Sequence, residues 1–498
     1  MLFFRPKFLH LFGVICVFCT LIFIIYVMID HEQITHIEVP VHFKTTLTDE
    51  PDIDLYEMYK MAKENEKNRQ IKKEAQAEQD AEDIDKKITH PIIIWWTPFT
   101  GEPGRVKKCG DVSCFFTVKR KYAAHKKTKA FMFYGTDFKA HDLPLPREPH
   151  HEWGLLHEES PKNNFLFHHK EVMTLFNHTA TFKRQSDMPL TLQYLPGIRY
   201  LQSTRMFIPT AKKNEIKKRL KIASVVYVQS DCNVPSDRDA FVKKLMEYMP
   251  VDSYGSCVHN KDLPKSISDA VEGMDKPEFY NLMSHYKFTI TFENAICDDY
   301  ITEKLWRPLY LGSVPIVFGS PKLQDYLPDN KSAIVLTDFK SVEDLAKHIK
   351  YLDENDKAYD EYLQFKRRGF TNTFLNEALN KRTWGINNDR RKPSMMDELE
   401  CLICRRIHEN QQREADGLEP IKHIAGLDHY GCPVPLKFGL NFDIPQTELN
   451  DYWQGFWRDG VYEAEYLSFC VKSRRKCSGE DFRQYSYARS QEKIPNIV

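Results

Sequence analysis

Phe292-Glu293-Asn294-Ala295-Ile296-Cys297-Asp298-Asp299-Tyr300-Ile301-Thr302-Glu303-Lys304-Leu305-Trp306-Arg307-Pro308, followed by Gly312, Pro315 and Gly319-Ser320-Pro321, decides how this chain is read. The residues leading into it, Lys287-Phe288-Thr289-Ile290-Thr291-Phe292, are apolar and β-branched enough for a buried strand of a parallel sheet. The strand ends in polar Glu293-Asn294, at the edge where parallel α/β sheets present ligands. Thr302 is placed to cap a helix whose first turn holds Glu303 and Lys304. Free N–H groups, a carboxylate and an ammonium then converge on one helix end, which suits a sugar diphosphate.

Similar strand–helix alternation extends outward in both directions. Pro91-Ile92-Ile93-Ile94-Trp95-Trp96 and Lys129-Ala130-Phe131-Met132-Phe133-Tyr134 read as strands of a first series. A second series starts at Ser224-Val225-Val226-Tyr227-Val228-Gln229-Ser230, passes through a helix from Asp237 to Met249, and reaches strands at 287–292, 314–318 and 333–336. Ser341-Val342-Glu343-Asp344 reads as the cap of the next helix. The two series, joined near the basic segment 211–221, predict an α/β fold of two Rossmann-like lobes with a cleft between them. From about 395 onward the pattern loosens into a cysteine- and aromatic-containing region without a clear period.

The start of the chain has a different character. Arg5 and Lys7 precede an apolar run from Leu11 to Ile29, which meets Asp30 and Glu32. The run is long enough to cross ~30 Å of hydrocarbon, and its positive flank predicts a cytosolic tail at 1–10 with everything after 29 in the lumen. Val27-Met28-Ile29-Asp30 offers no small-residue cleavage site, so an uncleaved anchor is expected over a signal peptide. Residues 30–90 are rich in Glu, Lys, Asp and Gln, and predict a solvated stem. The remaining ~410 residues exceed one ordinary domain.

With 70 basic and 70 acidic residues the formal net charge is zero, and the basic residues are spread along the chain, which leaves no electrostatic footprint for nucleic acid. Cys16 and Cys19 fall in the anchor, whereas Cys109, Cys114, Cys232, Cys257, Cys297, Cys401, Cys404, Cys432, Cys470 and Cys477 fall in the expected lumen, where disulfides form. Cys401-Leu402-Ile403-Cys404 is read as part of a disulfide knot, over a redox pair or half a zinc site with Cys432 or His408. Asn177-His178-Thr179 and Asn330-Lys331-Ser332 are glycosylation sequons consistent with that side of the membrane.

Phe-Glu-Asn at 292–294, Asp-Tyr-Ile-Thr-Glu-Lys at 299–304 and the downstream Gly-Ser-Pro resemble the alpha-1,3-fucosyltransferase family, glycosyltransferase family ten. The resemblance runs from about Trp95 to about Trp384. Phe133-Tyr134-Gly135-Thr136-Asp137, His157-Glu158-Glu159-Ser160-Pro161 and Val251-Asp252-Ser253-Tyr254-Gly255 are most similar to its fucosyltransferase ten and eleven branch, which O-fucosylates proteins. It implies a GT-B architecture, with an acceptor lobe at 91–220, a GDP-fucose lobe at 221–395 and a cysteine-containing C-terminal region at 396–498. It also implies inverting transfer of fucose from GDP-fucose.

On that resemblance Glu159 is the expected catalytic base, with Glu158 its competitor and a plain turn at 158–161 the alternative. Arg238 and Lys304 match positions that contact the diphosphate, although surface helix charges would look the same in sequence. Asn294, Tyr300 and Glu303 keep the spacing of residues that hold nucleotide, ribose and fucose, while Tyr300 could equally be a core tyrosine. Pro308 departs from a regular helix and is expected to kink it and shift Lys304.

Three Asp-x-Asp triplets, at 52–54, 83–85 and 237–239, are rejected as metal sites. Two lie in the stem, and Arg238 splits the third, so no metal or other cofactor is expected beyond the donor substrate. The expected acceptor is a Ser or Thr hydroxyl of a disulfide-rich, EMI-type extracellular module. N-acetylglucosamine of an N-glycan is the alternative acceptor, and a luminal lectin or scaffold the non-enzymatic alternative. A single anchor and charged stem fit the endoplasmic reticulum or Golgi membrane, and the C-terminal Ile497-Val498 carries no retrieval signal.

Overall fold

Alternating apolar residues in two separate stretches of chain build two sheets. A computed structural model describes residues 88–99, 101, 104–386, 392–435, 442, 444 and 447–491. The expected anchor, most of the stem and the two triplets at 52–54 and 83–85 lie outside these residues. Among the described residues no helix is long and apolar enough to cross a membrane.

The first sheet contains β1 (Ile92–Thr97), β2 (Arg105–Cys109), β3 (Val112–Thr117), β4 (Thr128–Tyr134), β5 (Glu152–His157) and β6 (His178–Thr181), in the order β2-β3-β1-β4-β5-β6. Its pairings are parallel except for the β2–β3 hairpin. The second sheet contains β7 (Val225–Val228), β8 (Val251–Tyr254), β9 (Phe288–Phe292), β10 (Val314–Phe318) and β11 (Ile334–Val335), all parallel, in the order β11-β10-β9-β7-β8. The chain leaves β7 toward β8, then returns to place β9 on the other side of β7. That reversal opens a crevice beyond the carboxyl ends of β7 and β9, where open α/β sheets bind ligands.

Side chains alternate across the strands of the first sheet. Ile92, Ile94, Phe131, Phe133, Trp153 and Leu155 face one core, while Ile93, Trp95, Ala130, Met132 and Leu156 face another. The region beyond 395 covers both faces, which corrects its reading as a loosely patterned tail. Helix Met395–Ala415 places Leu399, Ile403 and Ile407 on the second core, and helix Glu448–Lys472 places Ala464, Leu467 and Val471 on the first. Side chains cap both helices: Ser394 accepts from the Asp397 N–H and Thr447 from the Asn450 N–H, each at 3.1 Å. Their periodicity is faint because each buries only a narrow stripe.

Disulfides reinforce this wrapping. Cys401 and Cys404, three residues apart on one helix face, bond to Cys109 and Cys114 of the β2–β3 hairpin. The expected knot is therefore present, and both sulfurs of the C-x-x-C are consumed. His408 bonds instead to the Ser113 carbonyl at 3.0 Å. Cys232–Cys257, Cys297–Cys432 and Cys470–Cys477 complete the pairing of the ten cysteines beyond residue 29.

The two sequons part company in the fold. Asn330 is exposed. The Asn177 carboxamide accepts from Arg147 at 2.6 Å and from the Trp153 N–H at 2.8 Å, and donates to the His423 carbonyl at 2.8 Å. His178 and Thr179 beside it are fully buried in β6. A glycan on that nitrogen would compete with its bond to the His423 carbonyl, whereas the Asn330 side chain is exposed. Asn177→Gln is expected to lower stability by about 1–3 kcal/mol without loss of glycan mass. Asn330→Gln should do the reverse, as read by thermal unfolding and intact mass.

Candidate active site

Glu158 and Glu159 follow directly on β5, so the strand's carboxyl end delivers both to the crevice. Their environments differ. Glu158 is buried and accepts from the Tyr134 hydroxyl at 3.2 Å; burial and the neighbouring Glu159 charge push its pKa up to about 7. Glu159 is half-buried, and burial raises its carboxyl above the usual range against an opposing pull from Lys304. It senses Glu303 as well, so the side chain lies in the field of groups carried by the second sheet. The preceding His157 is fully buried, stacks on Tyr430 at 5.1 Å and is kept neutral by burial, with a pKa of about 3. Gly135 is required opposite it, because a Cβ there would lie 2.4 Å from the His157 ring.

The other wall is built at the ends of β7 and β9. Glu293 is buried and accepts from the Thr302 N–H at 2.8 Å and from the Thr302 hydroxyl at 2.9 Å. Thr302 in turn caps helix Glu303–Leu311, accepting from the Lys304 N–H at 3.4 Å. Lys304 lies 3.2 Å from Glu303 and 3.7 Å from Glu293, and these carboxylates overcome burial to raise its pKa above the usual lysine value. Burial works against the Glu303 charge, but Lys304 and Arg307 outweigh it and hold that carboxyl down at about 2. The helix is continuous through Pro308, and Gly312 ends it in the left-handed conformation. Pro308 lies inside the helix and removes the donor that the Lys304 carbonyl would receive.

Arg238 opens the helix Arg238–Met246 at the crevice and is 1% exposed. Its two terminal nitrogens donate to the Phe292 carbonyl at 3.0 Å and the Asp231 carbonyl at 2.9 Å, so the guanidinium ties the ends of β7 and β9 together. Its Nε has no protein partner. The flanking carboxylates are both occupied: Asp237 accepts from the Thr447 hydroxyl, and Asp239 from the Tyr227 hydroxyl at 2.6 Å. The Asn294 side-chain oxygen is buried without a protein partner. Tyr300 is 3% exposed, its ring edge-on to Phe182 at 5.1 Å, and burial followed by Glu159 and Glu293 raises its hydroxyl pKa.

Further residues take part, and apart from Asp299, which lies in the motif at 299–304, they carried no clear signal in sequence. Asp299, at φ 65°, is held by Arg184 Nε at 2.9 Å and the Tyr326 hydroxyl at 2.9 Å, while its N–H donates to Ser320 of the Gly-Ser-Pro turn at 2.8 Å. Tyr194, from the segment between the sheets, feels Glu303, Glu159, Glu158 and Glu293 together. Tyr430 donates to the Glu159 carbonyl at 3.0 Å from 271 residues away. The Asp298-Asp299 doublet before Tyr300 was visible in sequence, but nothing local marks Arg184, Tyr194 or Tyr430.

The arrangement offers a carboxylate on one wall, a cation held between carboxylates on the other, and helix N-termini at the crevice. Residues 88–193 match the model "Fucosyltransferase, N-terminal", and residues 216–423 match "Glycosyltransferase family 10 (fucosyltransferase) C-term". The chain belongs to glycosyltransferase family 10, the fucosyltransferases. This fucosyltransferase is 48% identical over 395 residues to GDP-fucose protein O-fucosyltransferase 3 of Gallus gallus, covering 79% of this chain and 82% of that relative. It is 46% identical over 397 residues to the Homo sapiens protein of the same name, with the same coverages. A solved alpha1,3-fucosyltransferase with GDP-fucose aligns at 20% identity and TM-score 0.33, covering 51% of this chain and 76% of that one.

Glu293 is the residue on which this wall stands. Glu293→Ala should leave the Thr302 N–H and hydroxyl unsatisfied and remove a counter-charge of Lys304, lowering stability by roughly 2–4 kcal/mol in denaturant unfolding. A loss below about 0.5 kcal/mol, the range of ordinary surface substitutions, would contradict that role.

Proposed function

We propose that this fucosyltransferase moves L-fucose from GDP-fucose to a Ser or Thr hydroxyl of a folded, disulfide-rich, EMI-type module, with inversion at the anomeric carbon. The observation that carries the reading is the 46–48% identity, across 79% of the chain, to proteins named GDP-fucose protein O-fucosyltransferase 3. Glu159 accepts the acceptor's proton while the acceptor oxygen bonds to C1 of fucose. The bond from C1 to the diphosphate oxygen breaks on the opposite face, and its electron pair leaves with GDP. Burial raises both carboxyls above the ordinary range, Glu158 to about 7, while Lys304 pulls against the rise at Glu159.

Lys304 and Arg238 balance the charge that develops on the leaving diphosphate. Asn294, with its unpartnered oxygen, Tyr300 and Glu303 hold nucleotide, ribose and fucose. The reaction needs no metal, because fixed cations occupy the place a divalent ion would take. The chain is a single-pass type II protein of the endoplasmic reticulum or Golgi membrane, anchored by residues 11–29 with its catalytic part in the lumen.

Mass spectrometry after incubation with GDP-fucose tests the acceptor. A deoxyhexose gained by a folded EMI module supports the reading, whereas gain only on an N-acetylglucosamine-terminated glycan replaces it with glycan transfer. Glu159→Gln should lower kcat by ~10²–10⁴-fold. In the parent enzyme kcat/KM should fall on acidification through a limb above the ordinary carboxylate value of about 4.3, since activity requires the ionised form and burial raises its pKa. Lys304→Ala should weaken GDP binding roughly 10- to 100-fold in calorimetry, the loss of one or more charge-assisted bonds. Activity should persist in a chelator; its disappearance and return with manganese would overturn the metal-free mechanism.

A further inference from the structure

Tyr430 lies past residue 423, where the family match ends, yet it is fully buried beneath the candidate base. Its hydroxyl donates to the Glu159 carbonyl at 3.0 Å. Its ring is held from several sides: His157 stacks on it at 5.1 Å, and Phe167 and Phe182 approach at 5.6 and 5.0 Å. Such a ring cannot swing away, so the hydroxyl is a fixed donor aimed at the peptide that carries Glu159.

The same segment reaches the opposite wall. Phe182, in contact with Tyr430, is edge-on to Tyr300 at 5.1 Å. Cys432 is disulfide-bonded to Cys297, three residues before Tyr300. His168 Nδ1 also meets the Cys432 backbone, 2.9 Å from its carbonyl oxygen and 3.1 Å from its nitrogen, which ties the segment to the first sheet's core. Residues 430–432 therefore touch the backbone of the candidate base and are covalently joined to the loop that leads into the donor helix.

We infer that Tyr430 is a positioning residue for Glu159, its hydroxyl fixing the peptide of the base while the Cys297–Cys432 bond registers that peptide against the donor loop. This rests on the reading of Glu159 as the base. Proton transfer needs the carboxylate within hydrogen-bond reach of the acceptor hydroxyl, and a misplacement of about 1 Å can cost ~10²-fold in rate. The donor site does not depend on this bond, so binding and turnover should separate.

The test uses the full-length enzyme with GDP-fucose and a folded EMI module. Tyr430→Phe keeps the ring and its stacking and removes only the hydroxyl. We expect kcat to fall roughly tenfold while the GDP-fucose KM, GDP affinity by calorimetry and Tm stay near the parent values. In a Glu159→Gln background the same substitution should cause no further loss, because a positioning group has nothing left to position. Parent-like kcat in Tyr430→Phe would overturn the inference. So would a fall in GDP affinity and Tm alongside kcat, or a full additional tenfold loss in the Glu159→Gln background. Parent-like kcat in Glu159→Gln alone would remove the base assignment itself, and with it the role of Tyr430, which distinguishes the two failures.

Discussion

Asp299 is 1% exposed and left-handed, and its carboxylate is satisfied from two directions. Arg184, in the segment following the first sheet, contributes its N–H at 3.1 Å and its guanidinium at 2.6 and 2.9 Å. Tyr326, in the connection between β10 and β11, contributes its hydroxyl at 2.9 Å. A buried carboxylate stripped of such partners is strongly destabilising, so the loop between β9 and the donor helix has little freedom to relax. Tyr300 follows Asp299 directly, then the Thr302 cap, then Glu303 and Lys304. The position of every candidate donor-binding group on this loop is inherited from that buried anchor.

The electrostatic pattern built on this loop is one of paired opposites. Lys304 sits among Glu293, Glu303 and the more distant Glu159, while Arg307 supports Glu303 from one turn along the helix. Arg307 in turn lies over Phe279 at 5.3 Å and within 3.8 Å of Asp275. A diphosphate entering the crevice would meet cations whose carboxylate partners already hold them in place, which limits reorganisation during charge development. On the facing wall, burial raises the pKa of both Glu158 and Glu159, the Glu159 charge adding to the rise at Glu158 and Lys304 opposing it at Glu159.

The region beyond residue 395 supplies much of the rigidity behind both walls. One of its helices is stapled to the β2–β3 hairpin by two disulfides and covers one face of the first sheet. Another begins at Thr447, bonded to Asp237 beside Arg238, and ends packed on the other face. The connection between them carries Tyr430 and Cys432. A segment without a readable period in sequence thus contacts the candidate base, the donor loop and the residue preceding Arg238.

The sequence by itself determined what periodicity and local chemistry can encode. The two α/β series, the caps at Thr302 and Ser341, and the convergence of Glu303 and Lys304 on a helix start all depend on neighbours within a few residues, and the structure contains them. The resemblance to the family, and not local physics, singled out Glu159, Arg238, Asn294 and Tyr300 as candidates. Only the tertiary structure decided which groups face one another: that Arg238 bridges two strand ends, that Asn177 is locked in the core, and that Arg184, Tyr194 and Tyr430 join the site. It also decided that Cys401 and Cys404 bond to the hairpin rather than to each other. These outcomes depend on pairings between residues from 54 positions apart, as for Arg238 and Phe292, to 292 apart, as for Cys109 and Cys401, and on burial that converts ordinary side chains into fixed donors. A linear pattern carries no record of which distant surfaces are pressed together when the core forms.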